Sequence, residues 1–127
     1  MLHLEITGKV IPGEALGRKL GYPTANLDRR DYVRRKLKVR LGVYAGVAEF
    51  MLRAKCYVLN AAIIIGPLDK KGLPKIEAHL LGFKGNLYGK RITLKPVKFL
   101  RPFKKFASSQ ELIKQIGLDM KKVKAIL

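Results

Sequence analysis

The chain has 127 residues, 48% of them hydrophobic, and 27 Lys and Arg against nine Asp and Glu leave a formal charge of +18. That length makes one domain able to bury a core, and no apolar run approaches the length of a membrane span. One cysteine excludes an internal disulfide and a cysteine-based zinc site, and the start of the chain alternates where a secretory signal would be continuously apolar, so a cytoplasmic setting is expected.

Residues 2–11 (LHLEITGKVI) alternate polar and apolar positions as a half-buried strand does, and Pro12-Gly13 ends it. A glycine-bearing segment, 13–21, then leads into Pro23-Thr24-Ala25-Asn26. It has neither the P-loop spacing nor the GxGxxG of a dinucleotide site. Thr24 and Asn26, two positions apart, can aim their oxygens the same way, which suits a hard cation. With Gly13, Arg18 and Lys19 close by, the layout suits a nucleoside triphosphate and its metal; it equally suits a surface hairpin with solvated bases. The basic stretch 28–40 (DRRDYVRRKLKVR) has few apolar positions and reads as a loop with room for one helical turn.

A strand resumes at Gly42 and reaches about Phe50, and Lys55 to Ile65 is a second, strongly apolar one. The two are expected to pair antiparallel through a turn at Leu52 to Ala54, and Cys56 within the apolar run reads as a small buried thiol. Gly66-Pro67 ends that strand. In the next, Ile76, Ala78 and Leu80 face one way and Glu77, His79 and Leu81 the other. A turn at Lys84-Gly85-Asn86 precedes the last long strand, Arg91 to Leu100, in which Pro96 marks an edge or a bulge.

The tail changes period. Ser108 and Glu111 have capping-box spacing, and Leu112, Ile116, Met120, Val123 and Leu127 fall on one helical face, with Gly117 a point where the helix kinks or splits and Asp119 a cap for its second part. The expected fold is therefore mainly β: a single domain, 1–127, forming a closed six-stranded antiparallel barrel of Greek-key type with one C-terminal helix packed on it.

Two features invite function. The charge suits a polyanion, whether nucleic acid or a nucleotide, yet the bases spread through 28–40, 84–105 and 121–124 as on a solvated surface. Glu77 is one of few acids and interrupts an apolar strand, where an unpaired ionised group would be costly to bury; a glutamate on the solvent face is the plainer alternative. His79 shares its face and reads as a hydrogen-bonding neighbour, with Tyr88 also placed just behind the site.

The stretch GKVIPG followed by GRKLGYPTANL resembles the N-terminal motif of the riboflavin kinase family, G-x-V-x-x-G and then G-R-x-L-G-F-P-T-A-N. Gly42-Val43-Tyr44-Ala45, Ala61 to Gly66, Ile76 to Leu81, Leu87-Tyr88-Gly89 and Leu100 to Phe106 are similar to further family segments in the same order, so the resemblance covers nearly the whole chain. It implies transfer of the ATP γ-phosphoryl group to the 5′-hydroxyl of riboflavin, giving FMN and ADP. Thr24 and Asn26 would then hold the metal, Mg²⁺ in most members, and Gly13, Arg18 and Lys19 would line the nucleotide. Glu77 would accept the hydroxyl proton, and Arg101, Lys104 and Phe106 would close over the flavin.

ATP enters as co-substrate and no tightly bound prosthetic group is expected. The expected state is a monomer, making FMN only, since the resemblance includes no adenylyltransferase domain. One departure stands out: where the family usually has N-P-T-F, this chain has Pro67-Leu68-Asp69-Lys70-Lys71-Gly72. Two other readings stay open, a basic nucleic-acid-binding barrel and a flavin-binding module without turnover.

Overall fold

The computed structural model describes residues 4–12, 24–83 and 85–126 of the chain. The described residues form six strands and two helices, in the order β1 (Ile6–Ile11), β2 (Thr24–Leu27), α1 (Arg30–Arg34), β3 (Gly42–Leu52), β4 (Lys55–Leu68), β5 (Pro74–Leu80), β6 (Arg91–Pro102) and α2 (Ser109–Ile126). The strands close into a barrel in the order β1-β2-β5-β4-β3-β6, every pair antiparallel. Strands 3 to 5 follow one another through successive turns and β2 returns beside β5, which is the Greek-key connection. β2 begins in the Pro23-Thr24-Ala25-Asn26 stretch, to which the sequence pattern assigns no strand. Four residues are too few for an alternation to register, and β2 exists because β1 and β5 offer it backbone partners on both sides.

Inside the ring sit Ile6, Ala25, Leu27, Ile63, Ile65, Ala78, Leu80, Ile92 and Leu94, all nearly inaccessible to water. Closing the sheet leaves only one face of each strand for solvent or for α2, so the inward set is dictated by the period of two. α1 and the basic stretch around it contribute Tyr32, Leu37 and Val39 to this core.

α2 covers part of the outer face. Ile116, Met120 and Val123 pack on Ala45 and Ala62, which lie directly opposite each other on β3 and β4. Two alanines in register leave a shallow seat into which a helix can settle, and each large side chain buried there stabilises the fold by roughly 1.5–3 kcal/mol. The helix starts as its sequence requires, with Ser108 Oγ accepting from the Glu111 N–H at 3.2 Å. It does not split at Gly117: one continuous helix runs to Ile126, because both sides of that glycine are held to the barrel by the same apolar stripe. Asp119 accordingly caps nothing and is free for the role described below.

Pro96 sits at a bulge between β3 and β6, where the register shifts from Ala45↔Lys98 to Gly46↔Pro96. Gly46 is required there, since a Cβ would lie 2.4 Å from the Lys95 carbonyl oxygen. β4 runs past Gly66-Pro67 to Leu68, through an irregularity in its pairing with β5. The β3–β4 hairpin closes through Arg53 and Ala54, both at positive φ (52° and 61°), the two-residue turn whose twist matches the strands. Cys56 beside this turn is exposed, not buried. The apolar run misleads because the hairpin uses only one face, on which Tyr57 stacks with Phe50 at 5.2 Å between ring centroids. No helix among the described residues is long and apolar enough to cross a membrane.

Candidate active site

β2 and β5 pair so that Thr24 lies opposite His79, Ala25 opposite Ala78 and Asn26 opposite Glu77. Ala25 and Ala78 point into the core, which obliges the other four side chains to face outward together; a slip of one residue would invert the arrangement. Residues some fifty positions apart thus form one polar strip. Thr24, Asn26 and Glu77 are half-buried, while His79 is 3% exposed and lines the same hollow as Ile116 and Asp119 of α2.

His79 Nδ1 is 3.1 Å from Thr24 Oγ1, and its Nε2 is 4.0 Å from Glu77 Oε1. Burial disfavours the imidazolium and lowers the His79 pKa to about 4, although the Asp119 carboxylate pulls the other way. The ring is therefore neutral near pH 7.

Two hollows flank the strip. The larger, about 640 Å³, lies between the outer face of β4 and β5 and the start of α2, and is lined by Ile64, Pro67, Glu77, Arg101, Phe106 and Leu112 among others. It is of the size and mixed character of a small-molecule site. The smaller, about 290 Å³, is lined by Pro12, Asn26, Arg29, Asp69, Lys75 and Glu77. Glu77 and Lys75 border both.

The walls are braced from further along the chain. Arg101 Nε and Nη2 donate to the two carboxylate oxygens of Asp119 at 3.0 and 2.8 Å, and Gln115 adds a bond at 3.0 Å. This pair is nearly dry, with side-chain exposures of 16% and 2%. Arg101 borders the larger hollow but its guanidinium is directed at Asp119; Lys104 and Arg101 flank the Phe106 ring at 5.3 and 5.8 Å from its centroid.

On the other side, Arg29 Nη1 donates to Asp69 Oδ2 at 2.5 Å, and Asp69 Oδ1 accepts from the N–H groups of Lys71 and Leu73. The Leu73 N–H leads in holding the Asp69 carboxyl below the usual carboxylate range; burial opposes it and Arg29 and Lys71 reinforce it. This bonding organises the 67–72 stretch. Arg29, Asp69 and Lys75 have no distinguishing motif, and only the Asx-turn look of Asp69-Lys70-Lys71-Gly72 hints at one of them; Asp119, which the sequence offers as a helix cap, is instead the partner of Arg101.

The basic stretch is partly neutralised internally: Arg29 pairs with Asp69, Arg30 with Asp28, and Arg34 and Arg35 with Asp31. Tyr88 is 40% exposed and lines a minor crevice with Thr24, not either hollow. Gly13, Arg18 and Lys19 lie outside the described residues.

Among the described residues no three His, Cys, Asp or Glu side chains gather as a metal site. The donors at hand are the neutral oxygens of Thr24 and Asn26 with one carboxylate opposite. That set fits a hard cation that brings other oxygen ligands with it, as a metal carried by a polyphosphate does.

Comparison with known proteins agrees in outline. The sequence model of the riboflavin kinase family (flavokinase) matches residues 1–127. The chain is 35% identical over 120 residues to a bifunctional riboflavin kinase/FMN adenylyltransferase of Buchnera aphidicola, covering 94% of this chain and 37% of that one. It is 34% identical over 116 residues to the RNA-binding riboflavin kinase RibR of Bacillus subtilis, covering 91% and 47%. These curated relatives are thus matched over about a third to a half of their length. The crystal structure of riboflavin kinase from Trypanosoma brucei superposes with a TM-score of 0.73 at 23% identity, covering 97% of this chain and 78% of that one, a likeness of fold.

Proposed function

Because the chain belongs to the riboflavin kinase family, we propose that it moves the γ-phosphoryl group of ATP to the 5′-hydroxyl of riboflavin. The observation that carries this is the position of Glu77: opposite Asn26 in the sheet and on the border of both hollows. An acceptor in one hollow and a donor in the other meet at that carboxylate.

The larger hollow, with its aromatic and aliphatic lining and Lys104 at the rim, suits a flat ring system whose polar chain reaches Glu77. Phe106 and Lys104 are the flavin contacts, and Arg101 acts by holding the wall through Asp119. The smaller hollow takes the nucleotide's phosphates beside Arg29 and Lys75, and the family resemblance assigns Gly13, Arg18 and Lys19 to the nucleotide as well. In the transfer the ribityl oxygen bonds to the γ-phosphorus, the bond to the β–γ bridging oxygen breaks, and the hydroxyl proton passes to Glu77. Thr24 and Asn26 would hold a magnesium-class cation, which supplies charge neutralisation at the phosphates when bound. Positioning and electrostatics carry most of such a reaction, so this small set of groups suffices.

The test is FMN formation from riboflavin and Mg-ATP by the purified chain, with GTP and CTP compared as donors. Glu77→Gln should lower turnover by about a hundredfold or more while riboflavin still binds; near-normal turnover would remove Glu77 from the role. The second reading is a flavin-binding module without turnover, favoured by the 67–72 stretch, which departs from the family and is fastened by Arg29 and Asp69. Riboflavin binding without ADP release would select it.

A further inference from the structure

β5 lies between β2 and β4 in the ring, so its outward side chains form the ridge between the two hollows. Pro74, Ile76 and Ala78 are buried, which turns Lys75, Glu77 and His79 to that ridge. Of the two hollows His79 borders the larger alone, whereas Lys75 and Glu77 border both. A group passing from one hollow to the other therefore crosses the ridge at Lys75 and Glu77. Side chains two positions apart on a strand face start about 7 Å apart, which leaves room for a tetrahedral group between them.

The cations around the hollows divide in the same way. Arg29 borders the smaller one and is engaged with Asp69. Arg101, Lys104 and Lys105 border the larger one, and Arg101 is already committed to Asp119. Lys75 is the only Lys or Arg among the described residues that borders both, and its ammonium has no ion pair or hydrogen bond among them. A solvated lysine on any strand would also be unpaired; the place on the ridge is what sets Lys75 apart.

In transfer from ATP the migrating group carries its negative charge on three equatorial oxygens. A cation confined to the donor's hollow holds the nucleotide better before the transfer than during it, whereas one that reaches both sides keeps its contact as the group moves. We infer, on the kinase reading above, that Lys75 is a further catalytic residue whose ammonium contacts the migrating phosphoryl group and follows it from the nucleotide to the new phosphate ester. Lys75 exchanges no proton in this step. The hydroxyl proton goes to Glu77 as the bond to the β–γ bridging oxygen breaks, and Lys75 supplies charge alone. The contact is made by the γ-phosphate and by the phosphate of FMN, and by neither ADP nor riboflavin, so equilibrium binding reads it as well as turnover.

Calorimetry of the purified chain with Mg²⁺ compares two ligand pairs, ADP against a non-hydrolysable ATP analogue and riboflavin against FMN. Lys75→Met should weaken the analogue and FMN by roughly tenfold and leave ADP and riboflavin within about twofold; the latter two also report an intact fold. Turnover should fall by roughly tenfold or more, and Lys75→Arg, which keeps the charge, should recover part of both losses. Lys121→Met removes the same charge from an exposed position of α2 outside both hollows and should change none of these. Equal losses for ADP and the analogue, a loss of the same size in Lys121→Met, or unchanged affinity for either the analogue or FMN would make Lys75 one contributor to a diffuse field and overturn the inference. A wild-type chain that makes no FMN counts against the kinase reading, while the two ligand pairs still decide on Lys75. FMN made by Lys75→Met at the wild-type rate overturns the role of Lys75 and leaves that reading standing.

Discussion

The β2–β5 strip and the tip of the β3–β4 hairpin are both outward faces of paired strands in the same barrel, and they differ in almost everything else. The strip is short and irregular in sequence, and its polar side chains are half or fully covered. The hairpin tip is long and regular, yet Met51, Cys56 and Val58 are open to water, Met51 and Val58 at 57% and 59%. Polar groups sit where burial is costly and apolar groups where it is absent. Covered polar groups must be held by something, and here register, α2 and the Arg101–Asp119 pair hold them. The exposed apolar residues need nothing to hold them, and singly they are unremarkable.

That contrast can be broken most severely at Asp119. Asp119→Ala leaves Arg101 nearly buried without its counter-charge and should destabilise the protein by about 3–5 kcal/mol, read by denaturant unfolding; a change below about 1 kcal/mol would show that the pair is not what fastens α2. His79 comes next. Its folded pKa lies near 4 against an ordinary 6.5, so between those values the unfolded chain takes up a proton that the folded one refuses. Stability is full above pH 6.5 and falls as the pH drops toward 4, by at most about 3 kcal/mol. His79→Gln should flatten that part of the pH profile; an unchanged slope would show that His79 is not its source.

The hairpin should answer more quietly. Ala54 holds φ 61°, a conformation costly for any side chain, so Ala54→Gly should raise stability by up to about 1 kcal/mol. Cys56→Ser should change it by no more than about 0.5 kcal/mol, and Cys56 in the native protein should react with a thiol reagent as fast as in the unfolded chain. Protection of that thiol would erase the difference between the two regions.

Much of the barrel is legible without coordinates. Alternation finds β1, β3, β5 and β6, and the S-x-x-E spacing finds the start of α2. The outward pairing of Glu77 with His79 follows from a period of two. The readings that fail are instructive in kind. Gly117 carries a local penalty for a helix, but the seat of Ala45 and Ala62 outweighs it. Cys56 lies in a run of apolar residues, but hydrophobicity states a preference for burial and cannot say that a neighbour is there to provide it.

For the site the division is sharper. The residue types in Thr24-Ala25-Asn26 and Ile76-Glu77-Ala78-His79, and their likeness to a kinase family, are properties of the chain alone, because side-chain chemistry and spacing along a strand are local. That Asn26 faces Glu77, that both hollows share that carboxylate, and that Asp119 reaches back eighteen positions to Arg101 are not. Those pairings compete with every other way of aligning the same strands, and only closure of the whole ring, with its core filled and α2 seated, selects one register among them.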